Sequence, residues 1–254
     1  MQITFGGFAF FLRVMEKYVI LRLILIDKTM KIIFVTLMTM FALNLYSQKI
    51  GSIDFDEIKQ LTQDSLSESY YPKLIERFMS FDTTLTENDF NLLYYGNIFT
   101  DNYDPYGTSE NERKFLELYN KQDYSNAIPL GLQVLNENPI NTTILFKMLV
   151  IYYQLSDMEN QTKYAMLYYG ILKEIYSSGD GSTCETAMVV INVSDEYEII
   201  SELQLNVEMQ SLVGDCDLME FEIEPQNIDK DRIPIEKLYF NVIIPLENLS
   251  KQFK

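Results

Sequence analysis

The stretch Ser177-Ser178-Gly179-Asp180-Gly181-Ser182 divides the chain into two parts of different character. Before it, apolar residues recur every three or four positions, which is typical of helices; after it, short β-branched runs are typical of strands. Helices first and strands last predict an α+β fold. We expect a helical region over residues 48–178 and a small β-rich region over 179–254. The two should form one compact unit, since three or four strands have no core of their own.

Upstream of this boundary, the pattern predicts a series of amphipathic helices. Thr86 and Asp89 have the spacing of a capping box that opens one of them, with Asp in place of the usual Glu or Gln. The most regular block predicts four helices, over 109–120, 125–137, 142–155 and 160–176.

The break at residues 121–124, followed by Ala127 and Pro139, has the spacing of a tetratricopeptide repeat across its turn, second helix and closing Pro. The next pair of helices repeats this spacing loosely. We therefore predict antiparallel, tetratricopeptide-like helical hairpins. One and a half degenerate repeats do not predict a solenoid, which needs about three.

Downstream of the boundary, four runs have strand character: residues 187–193, 203–209, 218–223 and 238–244. They predict a small, mainly antiparallel β-sheet packed on the last helices.

An export signal lies inside the chain. Met30-Lys31 is followed by about a dozen mostly apolar residues and then by small and polar ones up to Ser47-Gln48, which are the three parts of a secretory signal peptide. We predict a signal peptide over residues 30–47 with cleavage after Ser47. The protein should then be periplasmic or extracellular, with no stable membrane anchor after cleavage.

Residues 1–29 precede this signal. Their apolar runs are interrupted by Arg13, Lys17, Arg22 and Lys28, which break any clean span of about 20 residues. We interpret them as an upstream extension from a start codon assigned too early, with an N-terminal membrane anchor as the alternative.

Charge and composition exclude several classes of function. Five basic and two acidic residues lie in 1–47, so the remaining chain has 15 Lys+Arg against 35 Asp+Glu. Such a surface repels nucleic acid and anionic membranes. The acidity favours solubility, with attraction of cations or of a basic partner as the alternative. The absence of His excludes His-based triads, dyads and zinc sites.

Cys184 and Cys216 are the only cysteines. In an exported chain a lone pair predicts a disulfide bond. Because no Cys follows the signal peptide near residue 47, we do not expect a lipoprotein.

Tyrosine is concentrated in the helical region, where residues 70–176 contain 14 of the 18. These rings can be amphipathic packing residues with their hydroxyl groups at the edge of the core, or they can line a groove for a peptide or a sugar. As ligand-contacting residues we predict Tyr95, Tyr103 and Tyr106, which precede or lie in the irregular segment 101–107, because irregular segments on a rigid scaffold tend to carry function.

Several short motifs resemble one known family across most of the chain after residue 47. They include Tyr71-Pro72-Lys73-Leu74, Leu93-Tyr94-Tyr95-Gly96, Tyr103-Asp104-Pro105-Tyr106, Cys184-Glu185-Thr186-Ala187, Asp195-Glu196-Tyr197-Glu198-Ile199 and Tyr239-Phe240-Asn241-Val242. Together they are similar to domain-of-unknown-function family 4919, exported proteins of Bacteroidetes. The resemblance implies an extracytoplasmic bacterial protein with no assigned activity or cofactor.

Carboxylates in Gly- or Pro-punctuated loops are the candidates for chemistry. Asp101 and Asp104 could do acid–base work on a glycoside, or acidic loops could bind calcium. Asp in a turn more commonly hydrogen-bonds its own backbone, and no twelve-residue calcium loop can be found. We predict no metal site and no cofactor.

Asp64-Ser65-Leu66 and Asp82-Thr83-Thr84 resemble the short O-glycosylation motif of exported Bacteroidetes proteins. They predict Ser65 and Thr83 as acceptors.

Two functions remain. The first is a non-catalytic interaction or scaffolding module with an acidic, Tyr-rich surface and a protein, peptide or glycan partner. The second is a carboxylate-dependent, glycoside-type hydrolase at the turn 101–107. We favour the first of these functions, and whether the protein is an enzyme stays open.

Overall fold

The computed structural model describes residues 53–222 and 234–252. The signal peptide predicted over 30–47 and the extension predicted over 1–29 lie outside these residues. Seven α-helices come first: α1 (Phe55–Gln63), α2 (Tyr71–Met79), α3 (Glu87–Gly96), α4 (Glu110–Asn120), α5 (Tyr124–Glu137), α6 (Thr142–Gln154) and α7 (Met158–Ser178). A 3₁₀ turn, Asn97–Phe99, extends α3.

Several helix starts are fixed by side-chain caps that the sequence supplies. The predicted capping box is confirmed: the Thr86 hydroxyl accepts from the Asp89 backbone N–H at 3.2 Å, and the Asp89 carboxylate accepts from the Thr86 N–H at 2.9 Å. Asp54, Ser109 and Asn141 cap α1, α4 and α6 in the simpler way, each accepting from a backbone N–H three residues on. These caps satisfy donors that a helix leaves free at its first turn.

Two helical hairpins form the centre of the helical region. Helices α4 and α5 pack on each other across residues 121–123, and α6 and α7 do so across 155–157. Both connections turn in the same way, with a left-handed residue, Gln122 (φ 59°) or Ser156 (φ 58°), directly after the C-cap residue of the helix. Short connections make the helices of each pair antiparallel. The likeness to a tetratricopeptide repeat stays a prediction.

Helix α7 ends at Ser178, and strands follow: β1 (Met188–Val189), β2 (Val207–Val213), β3 (Cys216–Phe221) and β4 (Lys237–Asn241). Their spatial order is β1-β4-β3-β2, with β1 parallel to β4 and the other two pairs antiparallel. Gly214 (φ 65°) opens the two-residue turn between β2 and β3, where a left-handed backbone favours glycine. The predicted α+β class is confirmed, with a small mixed sheet.

One face of this sheet joins the helical core. Met188, Met219, Phe221, Leu238 and Phe240 are buried on it, and β1 contacts α7. Strand β2, at one edge of the sheet, is largely exposed, including the side chains of Met209 and Val213. The helices and the sheet therefore share one hydrophobic core.

Two helices interrupt the region that the sequence pattern assigned to strands. Helix α8 (Val193–Glu202) lies between β1 and β2, and α9 (Ile243–Gln252) follows β4 directly. The strand expected over 187–193 is therefore only two residues long, and the one expected over 238–244 ends at Asn241. Residues 203–205 close α8 through the left-handed Gln204 (φ 57°) instead of starting a strand.

The predicted disulfide between Cys184 and Cys216 is confirmed, with Cα atoms 5.8 Å apart. It links the 3₁₀ turn Cys184–Thr186 to the start of β3. Such a bond indicates an oxidising, exported compartment. No helix in the described residues combines the length and the apolar character needed to cross a bilayer.

Candidate functional site: the groove beside residues 102–108

The irregular segment 102–108 between α3 and α4 is held down at two points. The Tyr103 hydroxyl donates to the Ile191 carbonyl oxygen at 2.5 Å, and Pro105 is buried. Around Pro105 the backbone makes a turn in which the Gly107 N–H donates to the Asp104 carbonyl oxygen at 3.3 Å. The segment therefore has a defined conformation and can form the wall of a groove.

Gly107 lies directly against the Asp104 side chain, which a larger residue at position 107 would displace. A Cβ atom at position 107 would lie 2.3 Å from Asp104 Oδ2, far below van der Waals contact. The Asp104 carboxylate itself accepts from the Tyr106 backbone N–H at 3.3 Å, the Asx-turn role that turn aspartates commonly have. Its second oxygen lies beside Gly107, at the edge of the groove.

A groove runs along this wall. It consists of an inner cavity of about 220 Å³ and an outer, wider one of about 630 Å³. Both are lined by Asp104, Gly107, Thr108, Glu112 and Asn138. The inner cavity is bounded by four pieces of chain: residues 104–108, the first turn of α4, the α5–α6 connection and the start of α8. Its polar side chains come from Asp104, Thr108, Glu112, Asn138, Asn141, Thr142, Asn192, Ser194 and Asp195.

Three helices begin at this groove, namely α4, α6 and α8. Helix N-termini have a partial positive charge, and carboxylates in the first turn are stabilised by it. Glu112 of α4 and Asp195 of α8 occupy these positions. Burial raises the pKa of the Glu112 carboxyl group, while the Asn141 side chain, which donates to it at 3.3 Å, acts in the opposite direction.

Much of the hydrogen-bonding capacity of the lining is unused. The side chains of Asn102, Thr108, Asn136, Asn138 and Ser194 make no hydrogen bond to any residue that the structure describes. Neither Lys nor Arg lines the groove in the described part of the chain. The groove therefore offers amide and hydroxyl donors together with carboxylate acceptors, a combination that suits a polar ligand without negative charge.

Asp195 is fully buried behind the groove, at the point where three elements meet. Its carboxylate accepts from the Tyr94 hydroxyl of α3 at 2.6 Å, from the Thr142 hydroxyl of α6 at 2.6 Å and from the Asn192 amide at 3.2 Å. Burial raises its pKa, and these three hydrogen bonds oppose the shift. The Tyr94 oxygen also accepts from the Ile191 N–H at 3.1 Å. The network fixes the start of α8, and with it one wall of the groove.

Sequence reasoning did not single out Asp195 or the asparagines of the lining. From the sequence, Asp195 is noted only as part of a motif that resembles the family. Asn138, Asn141 and Asn192 come from separate elements, so no spacing along the chain relates them. The available signal was local: Asn141 and Asn192 both directly precede a helix, where Asn is a common cap.

The three tyrosines predicted to contact a ligand lie in different environments. Tyr106 lines the inner cavity with its side chain 42% exposed. Tyr103 anchors the segment to Ile191 and is half-buried. Tyr95 is fully buried, with its hydroxyl donating to the Val189 carbonyl oxygen at 3.2 Å and its ring against Phe55, so a ligand at the surface does not reach it.

The reason for the burial of Tyr95 is that every residue in the last part of α3, from Leu92 to Gly96, is buried. Both members of the doublet Tyr94-Tyr95 have no exposed surface, and their rings are 4.8 Å apart in an edge-to-face arrangement. Tyr95 faces α1, while the hydroxyl of Tyr94 reaches Asp195 of α8. At this part of α3 there is no solvent-facing edge toward which one ring of the doublet could point.

The two carboxylates of the hydrolase hypothesis are not brought together in the groove. Asp104 lines both cavities, whereas Asp101 is exposed and lines neither. The other carboxyl groups that line the groove are those of Glu112, Glu137 and Asp195. Among the described residues, no three His, Cys, Asp or Glu side chains are grouped so that they could hold a metal ion.

The predicted O-glycosylation acceptors, Ser65 and Thr83, are both exposed and lie between helices, after α1 and α2. Their modification stays a prediction.

The family model of a domain of unknown function, DUF4919, matches residues 56–251, which covers all of the described elements from α1 to nearly the end of α9. The chain belongs to this family. No curated protein and no solved structure matches it. The family establishes no activity, so function has to be argued from the groove.

Proposed function

We propose that this protein is a non-enzymatic binding module, exported to the periplasm or the extracellular space, that binds a neutral glycan in the groove beside residues 102–108. The observation that supports the proposal most is the lining of the groove, which combines unpaired amide and hydroxyl groups with carboxylates. Among the described residues that line it there is no Lys or Arg. Sugar hydroxyl groups both donate and accept, so they pair with such a mixed surface.

Tyr106 adds a second argument. Its ring is partly exposed at the inner cavity, where it can stack against the apolar face of a sugar ring. A peptide would more commonly use an exposed sheet edge or an apolar groove. The apolar lining here is limited to Pro105, Val134 and Val193 among the described residues, which favours the glycan.

The test is isothermal titration calorimetry of the chain after residue 47 against neutral oligosaccharides, an acidic oligosaccharide and unstructured peptides. A neutral oligosaccharide should bind, and Tyr106→Ala and Asn138→Ala should each weaken that binding about tenfold, the loss of one good contact. Tyr153→Ala is the matched control, because Tyr153 is 47% exposed near the opposite end of α6. Binding of peptides alone, or of no neutral sugar at all, would refute the proposal.

The hydrolase remains the second candidate, and one observation favours it. Glu112, whose pKa is raised by burial, lines the same groove as Asp104, and glycoside hydrolases use a pair of carboxyl groups in which the general acid has a raised pKa. On this hypothesis Asp104→Asn and Glu112→Gln abolish turnover while leaving the thermal midpoint almost unchanged, and Asp101→Asn has no effect. Screening glycosides, esters and phosphoesters decides it: carboxylate-dependent turnover would replace the binding module.

A further inference from the structure

Glu196 is a buried acid without a hydrogen-bond donor. It lies on α8 with no exposed surface, and neither of its carboxylate oxygens accepts a hydrogen bond in the described part of the chain. Asp195, the residue before it, is equally buried but accepts three. A buried carboxylate that is ionised and unpaired is costly, so the two neighbours require different explanations.

The group that Glu196 meets is another acid. Asp217 of β3 lies within hydrogen-bonding range of it. One Asp217 oxygen already accepts from the Gln210 amide of β2 at 2.8 Å, and the Gln210 carbonyl oxygen accepts from the Tyr197 hydroxyl of α8 at 2.8 Å. Asp217 is thus positioned as an acceptor. Two ionised carboxylates cannot form a hydrogen bond with each other, whereas a carboxylic acid can donate to a carboxylate.

All the interactions that Glu196 makes with its surroundings shift its pKa in the same direction. Burial, then the charges of Asp217 and Asp195, raise its pKa to about 9. Tyr106 from the 102–108 segment and Tyr197 from α8 also face the pair, and burial, followed by the electrostatic effect of the two acids, raises the pKa of both phenols. Among the described residues, no Lys or Arg contributes a compensating charge to Glu196.

We infer that Glu196 is a neutral carboxylic acid that donates its proton to Asp217, and that this shared proton is a pH-sensitive clasp between α8 and the β2–β3 hairpin. The hydrogen-bonded chain runs from Glu196 to Asp217, to Gln210 and back to Tyr197 on the same helix. Loss of the proton replaces its first link by two adjacent anions.

The direction of the pH effect follows from proton linkage. An unfolded Glu has a pKa near 4.5, so between that pH and about 9 the folded state binds one proton more than the unfolded state. The contribution of Glu196 to stability is therefore complete below pH 4.5 and decreases as the pH rises toward 9. The contact between α8 and the hairpin should be firmest in mild acid.

The first measurement is a carbon-detected NMR titration of the Glu side-chain carboxyl groups in the chain after residue 47. One resonance, absent from Glu196→Gln, should titrate near pH 9. A Glu196 resonance that titrates near pH 4–5 would overturn the inference. This measurement on the wild-type chain decides the question even if a variant does not fold.

The second measurement is the thermal midpoint between pH 5 and pH 9. The Gln side chain can still donate to Asp217 but cannot ionise, so Glu196→Gln should show a smaller decrease in midpoint than the wild type. Glu198→Gln is the matched control, since Glu198 is a buried acid on the same helix that accepts from Thr143 at 2.7 Å, and it should follow the wild type. Equal pH dependence in Glu196→Gln and wild type would contradict the clasp.

Discussion

Replacing Gly170 by alanine sets two effects of opposite sign against each other at the contact between α3 and α7. Gly170 lies inside α7, and a Cβ atom there would be 2.2 Å from Cε1, 2.4 Å from Cζ and 2.6 Å from Cδ1 of Phe90. The Phe90 ring is buried and packs edge-to-face on Phe78 with centroids 6.2 Å apart. A rigid ring in this position has to move by about an ångström or push the two helices apart.

The magnitudes decide which effect dominates. Alanine in a helix interior is favoured over glycine by about 1 kcal/mol. Overpacking of a well-packed core costs about 1–3 kcal/mol, and three ring atoms in overlap place this site at the upper end. We therefore expect Gly170→Ala to lower the free energy of unfolding by about 2 kcal/mol and the thermal midpoint by roughly 4–8 °C.

Urea denaturation followed by far-UV circular dichroism measures this change, with an unaltered slope showing that the unfolded state is the same. The control is the same substitution in a Phe90→Leu background, where the missing ring atoms should relieve the overlap and leave the helix preference of alanine. Gly170→Ala with wild-type or higher stability would refute the reasoning, as would an equal loss in both backgrounds.

Three further substitutions test other parts of the fold by the same assay. Ala127→Phe, at a fully buried position of α5, should cost about 1–3 kcal/mol by overpacking, whereas Leu132→Phe on the exposed side of α5 should be nearly neutral; equal effects would contradict the inner-face assignment. Removing the disulfide by Cys184→Ser with Cys216→Ser should cost about 3–4 kcal/mol through the unfolded state, and reduction of the wild type should match it. Asp195→Asn leaves one of three buried donors without an acceptor and should cost about 1–3 kcal/mol, while a loss within error would show that the network is not needed.

The helical region could be predicted because its signals are local. The 3.6-residue period gave α4 to α7 to within a few residues, and Thr86 with Asp89 fixed the start of α3. The disulfide followed from there being only two cysteines. None of these inferences required knowledge of which helix packs on which.

Helix α8 escaped the same reasoning because its buried side is largely acidic. Asp195, Glu196 and Glu198 are all buried beside Ile199 and Ile200, so the helix has no simple apolar stripe. Its partners, from Tyr94 and Thr142 to Asp217, lie on three other elements. The groove was missed for the same reason: tertiary packing, and not sequence spacing, brings its asparagines together.

The strand order has a consequence for how the chain reaches its native state. Strand β1 pairs only with β4, and the two meet in register at Met188 and Phe240, some fifty residues apart. The hairpins α4–α5 and α6–α7 form from helices that are adjacent in the chain and can assemble early, whereas the sheet waits for a strand that arrives much later. Non-local pairing of this kind slows folding. Until β4 inserts between β1 and β3, the strand edges with which it pairs lack their hydrogen-bonding partner, so an exported chain is most vulnerable to aggregation and proteolysis in the interval just before that insertion.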